Sequence, residues 1–164
     1  MRDIAREMGM EAASLYNHIA SKQRIISELL MEVAELFTSG MEKIKNSTAT
    51  PLQQLEALIV LHVDLTVSHT NAISLLPAEW VHLEEPTLKA FISLRDAYEA
   101  DFRVLIQNAV EAKQLASVDV DVALFSILST LRWLYSWYTK YQKKDIETLK
   151  KELIQNLLYG INQS

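Results

Sequence analysis

Glycine and proline are scarce in this chain: only 3 of each occur among 164 residues. Sandwiches and barrels of β-strands need many tight turns, which these two residues most often supply. Leucine, alanine, glutamate and lysine, which favour helices, are frequent instead. No short window alternates between apolar and polar side chains as a half-buried strand would. The sequence therefore predicts an all-α fold.

Breaks in the apolar pattern divide the chain into about eight predicted helices. They cover roughly residues 2–8, 12–18, 22–45, 51–68, 71–83, 86–115, 121–141 and 145–162. The clearest break is the polar stretch 46–51, where Thr50 and Gln53 have the spacing of a capping box and Pro51 suits a first helical turn. We therefore expect two domains, residues 1–46 and residues 47–164.

The predicted helix 22–45 would join these two domains. Its apolar residues form one stripe at helical spacing, from Ile25 to Ile44. Gly40 lies within that stripe and costs about 1 kcal/mol relative to alanine, which predicts a bend or an early end there.

Cysteine is absent, so a disulfide framework, a thiolate zinc site and a cysteine nucleophile are excluded. The most apolar segments, 55–63 and 122–138, are interrupted by polar residues and fall short of the roughly 18 apolar residues of a membrane span. The charged N-terminus has no apolar core like that of a signal peptide. We expect a cytoplasmic protein with no membrane partner.

The charge of the chain is unevenly distributed. The formal net charge is −5, which argues against coating of nucleic acid through bulk positive charge. Residues 1–27 carry four basic against three acidic side chains, so this segment alone is not acidic. Any contact with DNA is therefore expected to be local and N-terminal.

Residues 4–16 have the pattern of a helix-turn-helix, with Gly9 at the turn. The outward side of the second helix would present small or hydrogen-bonding residues that suit base edges in a major groove, and the residues after it would meet phosphates. The predicted DNA-contacting residues are Arg2, Ala12, Ala13, Ser14, Tyr16, Asn17, His18 and Lys22. The alternative is a pair of ordinary amphipathic helices whose polar residues face solvent.

The segments Ile4-Ala5, Gly9-Met10, Leu15-Tyr16-Asn17-His18-Ile19 and Ser21-Lys22 resemble the signature of the tetracycline-repressor (TetR) family over residues 3–30. The resemblance implies a dimeric, all-helical, ligand-responsive transcriptional repressor that binds double-stranded operator DNA. It places Ala12, Ala13 and Ser14 at base-reading positions. It places Tyr16, His18 and Lys22 at phosphate-contacting positions.

Family members carry a further helix ahead of this motif, whereas this sequence begins close to the second helix. The DNA-binding module is therefore expected to be incomplete in these 164 residues. A start assigned too far downstream, residues lost from the sample and a true loss of DNA binding each account for this, and we favour a truncated record.

The predicted helix 121–141 is apolar nearly all round, so a single neighbour cannot bury it. In the family that the chain resembles, the last two helices pair with those of a second copy. The resemblance therefore predicts a homodimer interface formed by Leu124, Ile127, Leu131, Leu134, Leu153, Leu157 and Ile161.

Polar residues interrupt the inward faces of two predicted helices, which indicates a ligand pocket. Its predicted lining is His62, Thr66, His69, Trp80, Arg95, Tyr98, Phe102, Trp133 and Trp137. The alternative for Arg95 is a salt bridge to Glu79, Asp96 or Glu99 or an end that reaches solvent, because an unpaired buried cation is costly.

The segment 133–138 resembles a W-x-x-x-W-Y stretch in TetR relatives that sense fatty acyl or acyl-CoA compounds. The resemblance implies a small hydrophobic or amphipathic effector, with Arg95 facing its acidic group. An aromatic stripe of this kind is also common in a core or an interface.

Catalytic, metal and cofactor motifs are missing from the sequence. There is no G-x-S-x-G, no H-E-x-x-H and no glycine-rich phosphate loop. Glu79 and His82 form only half of a di-metal motif, and His62 and His69 are about 10 Å apart by helical rise. We therefore expect no enzyme, metal or cofactor. The alternative to a repressor is a helical ligand-binding or protein-interaction module without DNA binding.

Overall fold

The computed structural model describes residues 12–140 and 145–160, without the side chains of residues 12–16, 18 and 19. This part of the chain contains no strand. Its helices are α1 (Ala12–Lys45), α2 (Pro51–Ser68), α3 (Thr70–Glu79), α4 (Thr87–Glu111), α5 (Val120–Lys140) and α6 (Ile146–Ile154). A 3₁₀ turn (Trp80–His82) follows α3, and a π-helical turn (Gln155–Tyr159) follows α6.

Helix α1 runs without interruption over 34 residues, so the predicted break between helices 12–18 and 22–45 is wrong. No glycine or proline lies between Asn17 and Ser39, and Ser21 sits inside the helix instead of capping a new one. The apolar stripe of α1 is buried from Ile26 to Met41 against α2, α3 and α4. This packing holds the C-terminal half of the helix in the body of the protein.

Gly40 neither bends nor ends α1, contrary to the sequence-based expectation, because the helix continues to Lys45. A methyl group at this position would overlap the Leu61 side chain of α2. The glycine therefore allows α1 and α2 to cross closely, and this packing offsets its poor helix propensity.

The start of α2 is capped as predicted. The Gln53 backbone N–H donates to the Thr50 hydroxyl (3.3 Å), the Thr50 N–H donates to the Gln53 side-chain oxygen (3.0 Å), and Pro51 occupies the first turn. The Gln54 amide also donates to the carbonyls of Ile44 and Lys45 (3.1 and 3.3 Å). The end of α1 is thereby tied to the start of α2.

The main core lies between α1, α2, α4 and α5. On the inner face of helix α5, the side chains of four residues are buried within the protomer and at most 5% exposed: Leu124, Ile127, Leu131 and Leu134. Leu153 and Leu157 are partly buried against the same core, and Ile161 lies outside the described residues. Leu124, Ile127, Leu131 and Leu134 therefore pack against their own chain, and the dimer interface predicted from the sequence stays a prediction.

No single helix in residues 12–140 and 145–160 is both long and apolar enough to cross a bilayer. Helix α2 and the segment Thr70–His82 meet that test only as a pair bent by 102°.

Candidate ligand cavity

A cavity of about 350 Å³ opens between helices α1 to α5. Its walls are mainly apolar and aromatic, as in most small-molecule sites. The lining residues are Ala34, Phe37, Thr38, His62, Thr66, Ile73, Leu76, Pro77, Trp80, Phe91, Leu94, Arg95, Tyr98, Leu128, Leu131, Arg132 and Trp133.

The structure brings six of the nine predicted pocket residues to this cavity: His62, Thr66, Trp80, Arg95, Tyr98 and Trp133. The other three lie elsewhere. Phe102 is fully buried in the main core behind Tyr98, and His69 caps the end of α2, where its Nδ1 is 2.8 Å from the Ser68 hydroxyl. Trp137 is 39% exposed on α5 and outside the lining.

His62 and Tyr98 form the polar part of the buried cavity floor. His62 Nε2 lies 2.9 Å from the Tyr98 hydroxyl, and both residues are buried. Burial, assisted by the positive charge of Arg132, lowers the pKa of His62 to about 3. Burial also raises the pKa of Tyr98, against the opposing effect of Arg132. Both side chains are therefore uncharged at neutral pH.

Two arginines mark the rim of the cavity. The Arg95 guanidinium contacts the Asp96 carboxylate (2.9 Å) and lies 5.0 Å from the centre of the Trp80 ring, which stacks on Phe91. This pairing and partial exposure match the salt-bridge alternative for Arg95, so this residue is not an isolated buried cation. Arg132, which sequence reasoning missed, donates to the Glu99 carboxylate across α4 and α5.

Exposure rises from the floor of the cavity to its rim. Thr66 is 1% exposed, whereas the Arg132 side chain is 51% exposed and Trp133 is 60% exposed. The cavity thus has a buried, uncharged floor and a solvated rim with two guanidinium groups. An amphipathic molecule matches this gradient from apolar to charged surroundings.

Helix α1 forms one wall of the cavity through Ala34, Phe37 and Thr38. Phe37 lies against the floor, with its ring centre 4.7 Å from that of His62 and 6.0 Å from that of Tyr98. Phe37 belongs to the apolar stripe of α1, but its spacing could not distinguish a core residue from a cavity wall.

Seven of the eight predicted DNA-contacting residues, those between positions 12 and 22, lie at the other end of α1. Asn17 and Lys22 are exposed on this helix. Asn17 is 20 residues from Phe37, or about 30 Å at 1.5 Å per residue. The side chains of Ala12, Ala13, Ser14, Tyr16 and His18, and the whole of Arg2, lie outside the described residues. Among the described residues, no three His, Asp or Glu side chains converge to hold a metal ion.

The outer face of α5 carries large apolar side chains exposed to solvent. Val122, Phe125 and Trp133 are 62%, 71% and 60% exposed. Together with Ser129 they are spaced by three, four and four residues, which places them on one side of the helix. Trp133 belongs both to this outer face and to the cavity rim.

Comparisons with known proteins identify the class of this helical protein. Residues 48–161 match the family model for the tetracyclin repressor-like C-terminal domain. That match covers more than half of the 164 residues, and the chain therefore belongs to the tetracycline-repressor family. The family and the all-α fold predicted from the sequence are confirmed.

The relatives are transcriptional regulators. The HTH-type transcriptional repressor KstR2 of Mycobacterium tuberculosis is 26% identical over 165 residues, covering 99% of this chain and 82% of the relative. The structure of PfmR from Thermus thermophilus has a TM-score of 0.77 at 23% identity, covering 99% of this chain and 88% of that one. The structure of AibR in complex with isovaleryl coenzyme A and operator DNA has a TM-score of 0.73 at 20% identity, covering 98% and 87%.

Proposed function

We propose that this protein is a ligand-responsive transcriptional repressor that binds operator DNA as a homodimer and is released by a small amphipathic effector. One observation carries the proposal. Helix α1 forms one wall of the cavity through Phe37 and continues without a break to the predicted DNA-contacting residues. A ligand that shifts this wall would move the distant end of the same rigid helix. The protein would act in the cytoplasm, where bacterial operator DNA lies.

The proposed effector has an apolar body and an acidic group. The apolar walls of the cavity suit the apolar part of the effector. At the rim, Arg95 and Arg132 would bind its anionic group in place of the Asp96 and Glu99 carboxylates. A water molecule occupies about 30 Å³ in the liquid, so a cavity of 350 Å³ holds roughly a dozen chemical groups of that size. An acyl chain fits this space, while a coenzyme A group would remain outside the rim. The isovaleryl coenzyme A bound to AibR is a molecule of this type.

The proposed dimer uses the outer face of α5. Val122, Phe125 and Trp133 expose large apolar side chains along one side of α5, a strip interrupted by Ser129 and of the kind that soluble proteins usually cover. A second copy is the occupant that fits best, since the relatives belong to a family of dimeric regulators and the strip can pair with itself about a twofold axis. A twofold pair would present two copies of α1 to half-sites about 34–36 Å apart.

The proposed function is tested with protein made from the complete reading frame and DNA from around its own gene. We expect the protein to bind a palindromic DNA segment. This binding should weaken steeply as salt is added and should be reversed by an acidic amphiphile. Tyr16→Ala and Lys22→Ala should weaken binding on all DNA sequences, whereas Ser14→Ala should change the sequence preference. Unchanged operator binding by Tyr16→Ala and Lys22→Ala would contradict the proposed DNA contacts.

A ligand-binding or protein-interaction module without DNA function is the second candidate. The formal net charge of −5 favours it, because bulk electrostatic attraction to the DNA backbone is then absent. In that case the protein would still bind amphiphiles and dimerise but would show no preference for any DNA segment over bulk DNA.

A further inference from the structure

The hydrogen bond between His62 and Tyr98 can be made in two ways, because both side chains are uncharged and each can donate or accept. If the Tyr98 hydroxyl donates to His62 Nε2, the tyrosine oxygen keeps lone pairs that accept another hydrogen bond. If Nε2–H donates to the tyrosine oxygen, the hydroxyl proton is available to a third group. The pair can therefore accept a hydrogen bond from an alcohol or donate one to a carbonyl.

Both members of this pair line the cavity floor. Thr38, on the α1 wall, already donates its hydroxyl proton to the Ala34 carbonyl (3.0 Å). Thr38 therefore offers a ligand only an acceptor, whereas the His62–Tyr98 pair offers either role. The pair is thus a more adaptable polar group than Thr38.

We infer that the effector carries an uncharged oxygen, a ketone or a hydroxyl, at the end of its apolar body that reaches the His62–Tyr98 pair. This inference rests on the proposed function, in which the acidic group of the same molecule faces Arg95 and Arg132 at the rim. The effector would be an oxo or hydroxy acid, or its thioester, and not a plain fatty acid.

The environment of the floor excludes a charged group there. In the described part of the chain no carboxylate lines the cavity, so a cation on the floor would lose its hydration without a compensating partner, and the two guanidinium groups that would attract an anion lie at the rim. A plain hydrocarbon end is also disfavoured, because it would separate the pair from water and leave its remaining hydrogen-bonding capacity unused. Sites built to hydrogen-bond an oxygen discriminate strongly against analogues that lack it.

The test compares matched acids by isothermal titration calorimetry. The probes are straight-chain carboxylic acids of six to twelve carbons and the corresponding acids with a ketone on the penultimate carbon. We expect wild-type protein to bind the oxo acid about tenfold more tightly than the parent acid at the chain length that spans the cavity.

Two tyrosine variants locate the effect. Tyr98→Phe removes only the hydroxyl at the floor and should abolish the preference for the oxo acid over the parent acid. Tyr138→Phe makes the same change in a separate cluster beside Leu134, outside the cavity lining, and should keep the preference. If Tyr98→Phe does not fold, as judged by circular dichroism, the comparison of the two acids on wild-type protein decides alone.

Three results would overturn the inference: equal binding of both acids at every length, a preference that survives in Tyr98→Phe, or no binding of either acid. Failure of the proposed function gives a different result. A protein that discriminates between the acids but binds no operator retains this ligand chemistry and loses the repressor role. A protein released from its operator equally well by both acids retains the repressor role and loses the oxygen-binding role.

Discussion

The Phe37 ring of α1 lies with its centre 4.7 Å from that of the His62 ring of α2, inclined by 41°. Through this contact the helix that carries the predicted DNA-contacting residues touches the floor of the cavity directly. No intervening element is needed to pass a change at the floor to α1. A ligand seated on His62 and Tyr98 would press on Phe37 first.

Replacing Phe37 with alanine should uncouple ligand binding from DNA release. In wild-type protein we expect effector to weaken operator affinity by roughly 5- to 150-fold, the usual range of allosteric coupling. In Phe37→Ala the ratio of operator affinity without effector to that with effector should fall close to one, because the effector no longer contacts the α1 wall. Operator titrations with and without effector measure it.

Leu36→Ala is the matched control, since this neighbour on α1 lies outside the cavity lining. It should retain the wild-type ratio. Full coupling in Phe37→Ala would show that the signal takes another route.

The buried neutral His62 should make the protein less stable in mild acid. Its pKa is about 3 in the folded state, against an ordinary value of 6.5 that the unfolded chain should show. Below pH 6.5 the unfolded state therefore binds a proton that the folded state does not. The contribution of uncharged His62 to the free energy of unfolding is fully present above pH 6.5. It falls by about 1.4 kcal/mol per pH unit as the pH drops toward 3.

Urea unfolding at pH 7 and pH 5 should show a loss of about 2 kcal/mol from this residue. His62→Gln should lack that component, although its stability at pH 7 will be lower because the Tyr98 contact is altered. His69→Gln, at the partly exposed end of α2, should keep it. The same pH dependence in wild-type protein and His62→Gln would rule out this origin.

The predicted features that the structure reproduces best depend on neighbouring residues only. The Thr50–Gln53 capping box and the helix that follows it are local, so residue identity and spacing suffice to place them. His62 and Thr66 are also four residues apart on one helix face, which is why both reach the cavity.

The inward face of α5 could not be chosen from the sequence, because apolar residues surround this helix. Leu131 and Trp133 are both apolar, but packing against α2 and α4 decides that Leu131 is buried and Trp133 exposed. Arg132 was missed for the same reason: its role depends on Glu99 in another helix. The single helix α1 was divided because Ser21 is a good cap in isolation, while its neighbours continue the helix.

Replacing Gly40 with alanine should have opposite effects in two backgrounds. Alanine improves helix propensity by about 1 kcal/mol, but its methyl group overlaps Leu61. Overpacking of this kind costs about 1–3 kcal/mol, so Gly40→Ala alone should lower the free energy of unfolding by up to about 2 kcal/mol. With Leu61→Ala already present, the same change should raise it by about 1 kcal/mol.

A double-mutant cycle from urea unfolding measures both effects. Equal changes in the two backgrounds would show that Leu61 does not determine the need for glycine at position 40.

Removing either rim arginine should weaken acidic ligands selectively. Arg95→Gln and Arg132→Gln should each reduce affinity for an acidic probe by about threefold to tenfold, since both side chains are partly solvated and their charges are screened. Affinity for the matching primary alcohol should change little. Arg103→Gln removes a guanidinium that pairs with Asp121 away from the cavity and should leave both affinities unchanged. Equal losses for the acid and the alcohol would indicate a packing defect instead of a lost charge.

Placing a charge on the outer face of α5 should separate the proposed dimer. Phe125 is 71% exposed in the protomer, so Phe125→Glu should leave the fold intact while adding a buried, unpaired carboxylate to each half of the interface. We expect monomers at micromolar concentration by analytical ultracentrifugation and a loss of operator affinity. Val104→Glu is the control, because Val104 is also well exposed (54%) but belongs to α4 and not to α5. If Phe125→Glu still sediments as a dimer, or if Val104→Glu alone dissociates, the pairing surface lies on α4 or elsewhere and not on the strip that includes Trp133.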